Sequence, residues 1–112
     1  MEVIGYPYEK YMKLILKSKK SLHYAEAEWN GEQIIVLSGS RINPIVAFPQ
    51  MSEEIKRMRN DNTIVNEKNE LIVDVKFTSP SSAAQFVTGR SVNGYIAWRP
   101  DDKMSLKEYL KK

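Results

Sequence analysis

The sequence predicts an α+β domain in which a small antiparallel sheet carries two or three helices on one face. Leu71–Phe77 alternates apolar and polar residues, which is the period of a half-buried strand. Asn30–Gly31 separates two apolar-containing runs, as in a tight hairpin. Ser79 and Pro80 precede an alanine-containing run that ends at Gly89, a pattern typical of a capped helix. Strands and helices of these lengths form one small core.

Composition limits the class of protein. The chain has 112 residues, of which 42% are hydrophobic and 28% charged, so we expect one globular domain over residues 10–112 behind a short arm at 1–9. No apolar run approaches the roughly 18 residues of a membrane span. The start of the sequence lacks the pattern of a secretory signal, which predicts a cytoplasmic protein. The absence of cysteine excludes disulfides, thiol nucleophiles and cysteine-based zinc sites.

The first element is ambiguous. Met12–Leu16 fits a strand that places Met12, Leu14 and Leu16 on one side. It also fits a helix that groups Met12 with Ile15. Periodicity alone does not separate the two.

The next element is a hairpin over Leu22–Ser38. A two-residue turn at Asn30–Gly31 pairs Trp29 with Glu32. The pairs that follow put small and branched residues on the core-facing side, where a helix can pack, with Ala27 opposite Ile34 and Ala25 opposite Val36.

A first helix begins after Ser52, with Glu53 and Glu54 in its first turn. Three basic residues lie towards its end, where the helix dipole favours them and where contact with phosphate is an alternative role: Lys56, Arg57 and Arg59. Met51, Ile55 and Met58 line one side of this helix.

Leu71–Phe77 is expected at the centre of the sheet, with Leu71, Val73, Val75 and Phe77 on one face and Ile64–Val65 pairing beside it. Near the end of the sequence, Ser105–Glu108 has the pattern of a capping box. It predicts a terminal helix with one buried stripe: Leu106, Tyr109 and Leu110.

The segment Thr78–Trp98 combines these signals. Ser79 caps a helix that Gly89 ends, and Asn93–Gly94 is a turn that leads into a strand starting at Tyr95. In such a strand Tyr95 and Trp98 face opposite sides. If Ile96 is buried, Trp98 is a core residue, and the alternative is that Trp98 stacks on a base.

Catalytic groups are sparse, which predicts a protein that is not an enzyme and needs no cofactor or metal. The one histidine, His23, has no cysteine to pair with and fits a structural hydrogen bond. Glu26 and Glu28 alternate outward on a strand, and Asp101–Asp102 lies in a turn, so neither acidic pair requires a metal.

The distribution of charge is more informative than its total. Net charge is only +3, from 17 Lys and Arg against 14 Asp and Glu. Residues 10–20 hold five lysines and no acid, and residues 76–100 hold three basic residues and no acid. If both stretches share a face, that face favours a polyanion, whereas scattered solvated lysines are the alternative.

Phosphate recognition is the chemistry that these residues suit best. A helix N-terminus beside serine hydroxyls favours an anion, Tyr95 can stack on a base, and Asn93 can pair with an adenine edge. The candidate DNA contacts combine hydroxyl, amide, aromatic and basic side chains: Arg41, Lys76, Ser79, Ser81, Ser82, Arg90, Asn93, Tyr95 and Arg99.

Three motifs resemble a known family. The first is Ser79–Ala84, which reads Ser-Pro-Ser-Ser-Ala-Ala, and the second is Gly89–Gly94, which reads Gly-Arg-Ser-Val-Asn-Gly. The third is the closing Trp98. A weaker match lies upstream at Val36–Ser40. Over about residues 12–111 the chain resembles the RAMA (restriction enzyme adenine methylase associated) domains. It more closely resembles an uncharacterised bacterial domain that often follows GIY-YIG nuclease modules. Many relatives have Trp where Tyr95 stands.

The resemblance favours a strand at Met12–Leu16 and implies a DNA-binding module of restriction–modification systems, with modified bases as one class of target. The family motif comprises Ser79, Pro80, Ser81, Ser82, Ala83, Ala84, Gly89, Arg90, Asn93, Gly94 and Trp98. The functional expectation extends to all of these except Pro80, Ala83 and Ala84. We therefore expect a non-catalytic protein that binds double-stranded DNA. The alternative is an accessory module that docks a nuclease or methyltransferase without contacting DNA.

Overall fold

A four-stranded antiparallel sheet organises the fold. The computed structural model describes residues 11–20 and 22–111, so the predicted arm at 1–9 lies outside the described residues. The strands follow one another in sequence order across the sheet. They are β1 (Met12–Lys17), β2 (Tyr24–Trp29), β3 (Ile34–Val36) and β4 (Val75–Phe77). The helices of the described residues are α1 (Glu53–Arg59), α2 (Pro80–Thr88), α3 (Gly94–Ala97) and α4 (Leu106–Leu110).

The two faces of the sheet differ in burial, as the predicted α+β class requires. On one face α2 packs against β3 and β4, and on the other charged side chains alternate outward along β1, β2 and β4. The buried face carries Leu14, Leu16, Ala25, Ala27, Trp29, Ile34, Val36, Val75 and Phe77. The α+β class is confirmed, although the described residues form four helices rather than two or three.

Residues 12–17 form a strand, so the helical alternative for Met12–Leu16 is wrong. β1 pairs with β2 from Met12 opposite Trp29 to Lys17 opposite Tyr24. Leu14 and Leu16 are buried between the sheet and the helices, as the strand interpretation requires.

The hairpin between β2 and β3 is present, but its predicted register is wrong by two residues. Trp29 pairs with Ile34, and Ala27 pairs with Val36. The Oδ1 atom of Asn30 accepts the backbone N–H groups of Glu32 and Gln33 at 2.9 and 2.8 Å, which widens the expected two-residue turn. Because the shift is an even number, the predicted residues still face the core.

The predicted strand over Leu71–Phe77 is also too long. Only Val75–Phe77 pairs with β3, and β4 is an edge strand rather than a central one. Leu71 instead exchanges 2.8 Å hydrogen bonds with the turn at Gly39 and Ser40. The chain bends between these two points, so Val73 is exposed rather than buried. The expected pairing with Ile64–Val65 occurs at the bridge between Val65 and Leu71.

The expected strand from Tyr95 to Trp98 is the short helix α3. Asn93 caps it, because its Oδ1 accepts the N–H of Tyr95 at 2.9 Å. Trp98 is fully buried, which confirms its core role, but Ile96 is 53% exposed and does not accompany it. An Asn-Gly pair serves a helix start as well as a hairpin turn, so the dipeptide alone did not distinguish them.

The other three helices start where predicted, and α2 begins after its cap Ser79 and ends at Gly89. Ser52 caps α1, and Ser105 forms the capping box of α4 with Glu108. The predicted stripe on α4 is wrong in part, since Leu106 is buried but Tyr109 and Leu110 are exposed. A helix of five residues turns only part of its surface towards the core.

Candidate nucleic-acid interface

The start of α2 packs directly on the start of α3. Ser81 Oγ accepts the backbone N–H of Gly94 at 2.9 Å. The indole N–H of Trp98 donates to the carbonyl oxygen of Pro80 at 3.0 Å. Gly94 lies so close to the peptide between Pro80 and Ser81 that a Cβ atom would overlap it. The predicted helix start is therefore covered by another helix.

The other polar residues at this corner are caps. Ser79 Oγ accepts the N–H of Ser82 at 3.1 Å and donates to its hydroxyl at 3.0 Å. Asn93 caps α3 with its side chain. These intramolecular bonds account for the spacing of the polar residues at this helix corner without a ligand.

Tyr95 projects from the same corner and remains partly exposed. Its ring meets the ring of Trp29 edge to face, with centroids 6.2 Å apart and planes at 85°. The exposed fraction of Tyr95 is 37%. One edge of the ring is thus held by the sheet, and part of it remains accessible beside the exposed Asn93.

Lys76 lies apart from this corner. It is the exposed middle residue of β4 and lines a groove of about 230 Å³ between α1 and the sheet. Ser82 lines the same groove, and so does the acidic Glu54. The groove therefore mixes one basic and one acidic side chain.

Three basic residues from the two acid-free stretches meet at the opposite edge of the sheet. Arg99 and Ile15 exchange two backbone hydrogen bonds of 2.9 Å, which fixes the C-terminal stretch along β1. Lys17, Lys19 and Arg99 line one groove of about 380 Å³, which we call the basic groove. Asp102 also lines it and pairs with Lys17 at 3.5 Å.

The charges of Arg41 and Arg90 act on His23. His23 directly precedes β2 and is 8% exposed. Burial lowers the pKa of His23, and the positive charges of Arg41 and Arg90 lower it further. The imidazole is thus neutral near pH 7. Sequence patterns do not relate residues 23, 41 and 90, because only the fold brings them together.

The predicted site consequently divides into four places. Ser79, Ser81, Asn93 and Tyr95 lie at the corner of α2 and α3. Lys76 and Ser82 lie in the groove beside α1. The remaining predicted residues are basic, with Arg99 in the basic groove, and Arg41 and Arg90 near enough to His23 for their charges to lower its pKa. The nine residues of α2 separate its serine-rich start from Arg90, about 13 Å at the rise of an α-helix.

Arg59 has a structural role beyond the two predicted from its place in α1, which were compensation of the helix dipole and contact with phosphate. Its guanidinium donates to the carbonyl oxygens of Phe86 and Asn43. Desolvation by burial lowers the pKa of Arg59. The side chain thereby joins α1 to the end of α2, and no spacing in the sequence indicates this contact.

A second kind of surface lies on α3 and α4, which contact each other. Their large apolar side chains are between 37% and 53% exposed, and they are Tyr95, Ile96, Tyr109 and Leu110. Among the described residues, no group of three His, Asp or Glu side chains has the proximity that a metal ion needs. Within residues 11–20 and 22–111, every helix is too short or too polar to span a bilayer.

Comparison with known proteins identifies one family. The model of a domain of unknown function, DUF4357, matches residues 14–110 and so covers most of the chain. No curated protein and no solved structure matches the chain. The chain belongs to the DUF4357 family of domains.

Proposed function

We propose that the chain is a non-catalytic DNA-binding module that contacts the phosphate backbone at the basic groove. The observation that carries this proposal is the meeting of Lys17, Lys19 and Arg99 in one groove, although they come from distant parts of the sequence. Cations that line a concave surface reinforce one another's potential and attract a polyanion. The overall charge of +3 is small, so this local arrangement supports DNA binding more than composition does.

The acid in the basic groove does not cancel this potential. The Lys17 and Asp102 side chains are 58% and 85% exposed, and an ion pair so exposed contributes little to stability. A phosphate group can replace Asp102 as the partner of Lys17 at small cost. Lys19 and Arg99 add two further cations for the backbone of the nucleic acid.

The resemblance to RAMA domains supports double-stranded DNA as the ligand and a restriction–modification system in the cytoplasm as the setting. Under this proposal Asn93 and Tyr95, both exposed beside α3, are the residues that read or stack on a base. Modified bases are one class of target for such a pair. The serines of the corner then maintain the geometry of these two residues rather than contact phosphate.

A binding titration tests the proposal. Duplex and single-stranded oligonucleotides, methylated and unmethylated, are titrated by fluorescence anisotropy at several salt concentrations. Each phosphate contact contributes about 0.9 to the slope of log K against log salt for a duplex. We expect Lys19→Ala and Arg99→Ala each to weaken binding for all sequences and to lower this slope by about one.

Matched controls remove equal charge elsewhere. Arg57→Ala on α1 and Lys68→Ala in the 66–69 turn, both exposed positions, are expected to leave the slope unchanged. The proposal fails if duplex DNA does not bind at low salt, or if the controls weaken binding as much as the groove variants do.

The apolar surface of α3 and α4 favours a second function, that of an accessory module which docks a nuclease or methyltransferase. Exposed apolar side chains on two helices that contact each other are more typical of an interface than of a solvated surface. Binding through them would depend weakly on salt, in contrast to binding at the basic groove. Ile96→Asp, which places a charge in the patch, would abolish docking and leave DNA affinity intact.

A further inference from the structure

The two edges of the sheet differ in how they are covered. At one edge, Ile15 of β1 exchanges two backbone hydrogen bonds with Arg99. At the other edge, β4 pairs with β3 on its inner side, and no further strand of the described residues lies beyond it. An edge strand of this kind offers its outward backbone groups to another extended chain.

The backbone hydrogen bonds of β3 determine which groups of β4 point outward. The N–H of Leu37, which directly follows β3, donates to the carbonyl oxygen of Glu26 at 2.9 Å, so odd-numbered residues of this segment bond towards β2. Its even-numbered residues bond towards β4, where they lie opposite Val75 and Phe77. Lys76 lies between these two residues and therefore directs its backbone N–H and C=O away from the sheet. Among the described residues, neither group has a partner.

A groove of about 230 Å³ opens beside this edge, between β4 and α1. Ile55 and Met58 of α1 and Phe77 of β4 give it apolar walls, and Lys76 lines it as well. The volume is below the roughly 300–1,000 Å³ of sites for drug-sized molecules. It suits one large apolar side chain whose backbone is held beside β4.

The exposed Lys76 side chain determines the charge of a suitable partner. It points to the face opposite the buried Val75 and Phe77, and its cross-strand neighbour in β3 is Ile35. Its ammonium group forms no ion pair within the part of the chain that the structure describes. A strand added beside β4 places one side chain opposite Lys76, where a carboxylate is favourable and a second cation is not.

The charges also discriminate between possible occupants. A second copy of the chain paired symmetrically about Lys76 would set two lysines opposite each other, which disfavours it. Glu54 lines the groove from α1, so the side chain that enters the groove is apolar rather than acidic. An acidic residue next to an apolar one satisfies both positions, because successive side chains of a strand point to opposite faces.

We propose that the outer edge of β4 and the groove beside α1 bind an extended segment of another protein, which adds to the sheet as a fifth strand. The segment carries an acidic residue opposite Lys76 and, next to it, a large apolar residue that enters the groove. Backbone hydrogen bonds supply the affinity of such strand addition, and the alternating side chains supply its specificity. The site is independent of the basic groove, since it lies at the other edge of the sheet, three strand spacings of about 4.8 Å away.

Blocked seven-residue peptides test the proposal. One set has the core X-Glu-X, where X is Val, Leu or Phe and threonine fills the other positions, and the matched set has Lys in place of Glu. We expect the Glu set to bind about fivefold more tightly than the Lys set in fluorescence anisotropy. Hydrogen exchange followed by NMR should show new protection of the Lys76 amide in the complex. The amides of Val75 and Phe77 already bond to β3 and should change little.

A charge exchange provides the control. Lys76→Glu should reverse the preference, so that the Lys set binds about fivefold more tightly than the Glu set. Lys68→Glu, at an exposed position in the 66–69 turn, should retain the preference of the wild type. Circular dichroism checks that both variants are folded, as their exposed positions lead us to expect.

The proposal is overturned if neither peptide set binds, if the Lys76 amide stays unprotected in the complex, or if Lys76→Glu keeps the wild-type preference. It is also overturned if the protein sediments as a dimer whose Lys76 amide is protected without peptide, since a second copy then occupies the edge. If no peptide binds but Lys76→Glu lowers the salt slope of duplex binding, Lys76 is a DNA contact and this inference fails.

Discussion

The indole N–H of Trp98 donates a 3.0 Å hydrogen bond to the carbonyl oxygen of Pro80, and both residues are buried. This bond joins the first residue of α2 to the residue that follows α3, 18 positions later. Gly94 and Ser81 lie beside it and make the second bond between the same two helices. The spacing of these motif residues is therefore the spacing of a helix corner.

The lack of space at Gly94 gives the first prediction. Gly94→Ala should destabilise the fold by about 3 kcal/mol or more, because the added methyl group overlaps the backbone of Pro80 and Ser81. Chemical denaturation followed by circular dichroism measures the change.

Gly31→Ala is the matched control. Gly31 has open space around it but a φ of 96°, so the substitution should cost only about 1–2 kcal/mol. If Gly94→Ala and Gly31→Ala lose equal stability, α2 and α3 move apart to accommodate the added methyl group more easily than their packing indicates.

The second prediction tests whether the role of Ser81 is structural or whether it binds a ligand. Ser81→Ala removes the acceptor of the Gly94 N–H and should lower the free energy of unfolding by about 1–3 kcal/mol. DNA affinity and its salt slope, measured where both proteins are folded, should not change.

The exposed Ser91 provides the comparison, and Ser91→Ala should affect neither quantity. If Ser81→Ala keeps the stability of the wild type but lowers the salt slope of DNA binding, the Ser81 hydroxyl contacts phosphate instead.

The sequence predicts the local elements of this fold better than their pairing. Caps and periodicity determine α1, α2 and the core-facing residues of the hairpin, because these depend on neighbours in the chain. The length of β4 depends on Leu71, which pairs with the turn at Gly39 instead of with β3. Such competition between distant backbone groups leaves no periodic signal.

For the candidate site, too, the sequence predicts local motifs better than contacts between distant elements. The motif at 79–98 is visible in the sequence, but the role of each residue depends on a contact with another element, as Ser81 shows. Acid-free stretches indicated basic surface, and the bridge between Ile15 and Arg99 brings the two stretches together. The relation of Arg41 and Arg90 to His23 required the fold itself.

Arg59 gives a third prediction. Arg59→Met keeps much of the side-chain volume but leaves the carbonyl oxygens of Phe86 and Asn43 without these donors. The variant should lose about 2–4 kcal/mol of stability, in the upper range for a buried polar network. Arg57→Met, two residues earlier and exposed, should change stability by less than about 0.5 kcal/mol. If Arg57→Met loses as much stability as Arg59→Met, the loss comes from the removed helix charge and not from the two hydrogen bonds of Arg59.

The low pKa of His23 makes stability depend on pH. The folded value lies below the ordinary 6.5 because of burial and then the charges of Arg41 and Arg90. Between the two values the unfolded chain binds a proton that the folded protein does not. The free energy of unfolding should therefore fall as pH decreases from 6.5 to the folded pKa, by at most about 1.4 kcal/mol per pH unit.

Urea denaturation of the wild type and of His23→Gln over this pH range isolates the contribution of the imidazole. The variant should lose the slope just below pH 6.5 even if its overall stability differs. Asp61 and Glu108 have pKa values lowered by hydrogen bonds from Thr63 and Ser105, so their contributions are lost only below about pH 4.5. An unchanged slope in His23→Gln would mean that the histidine titrates alike in both states, which contradicts its burial beside two arginines.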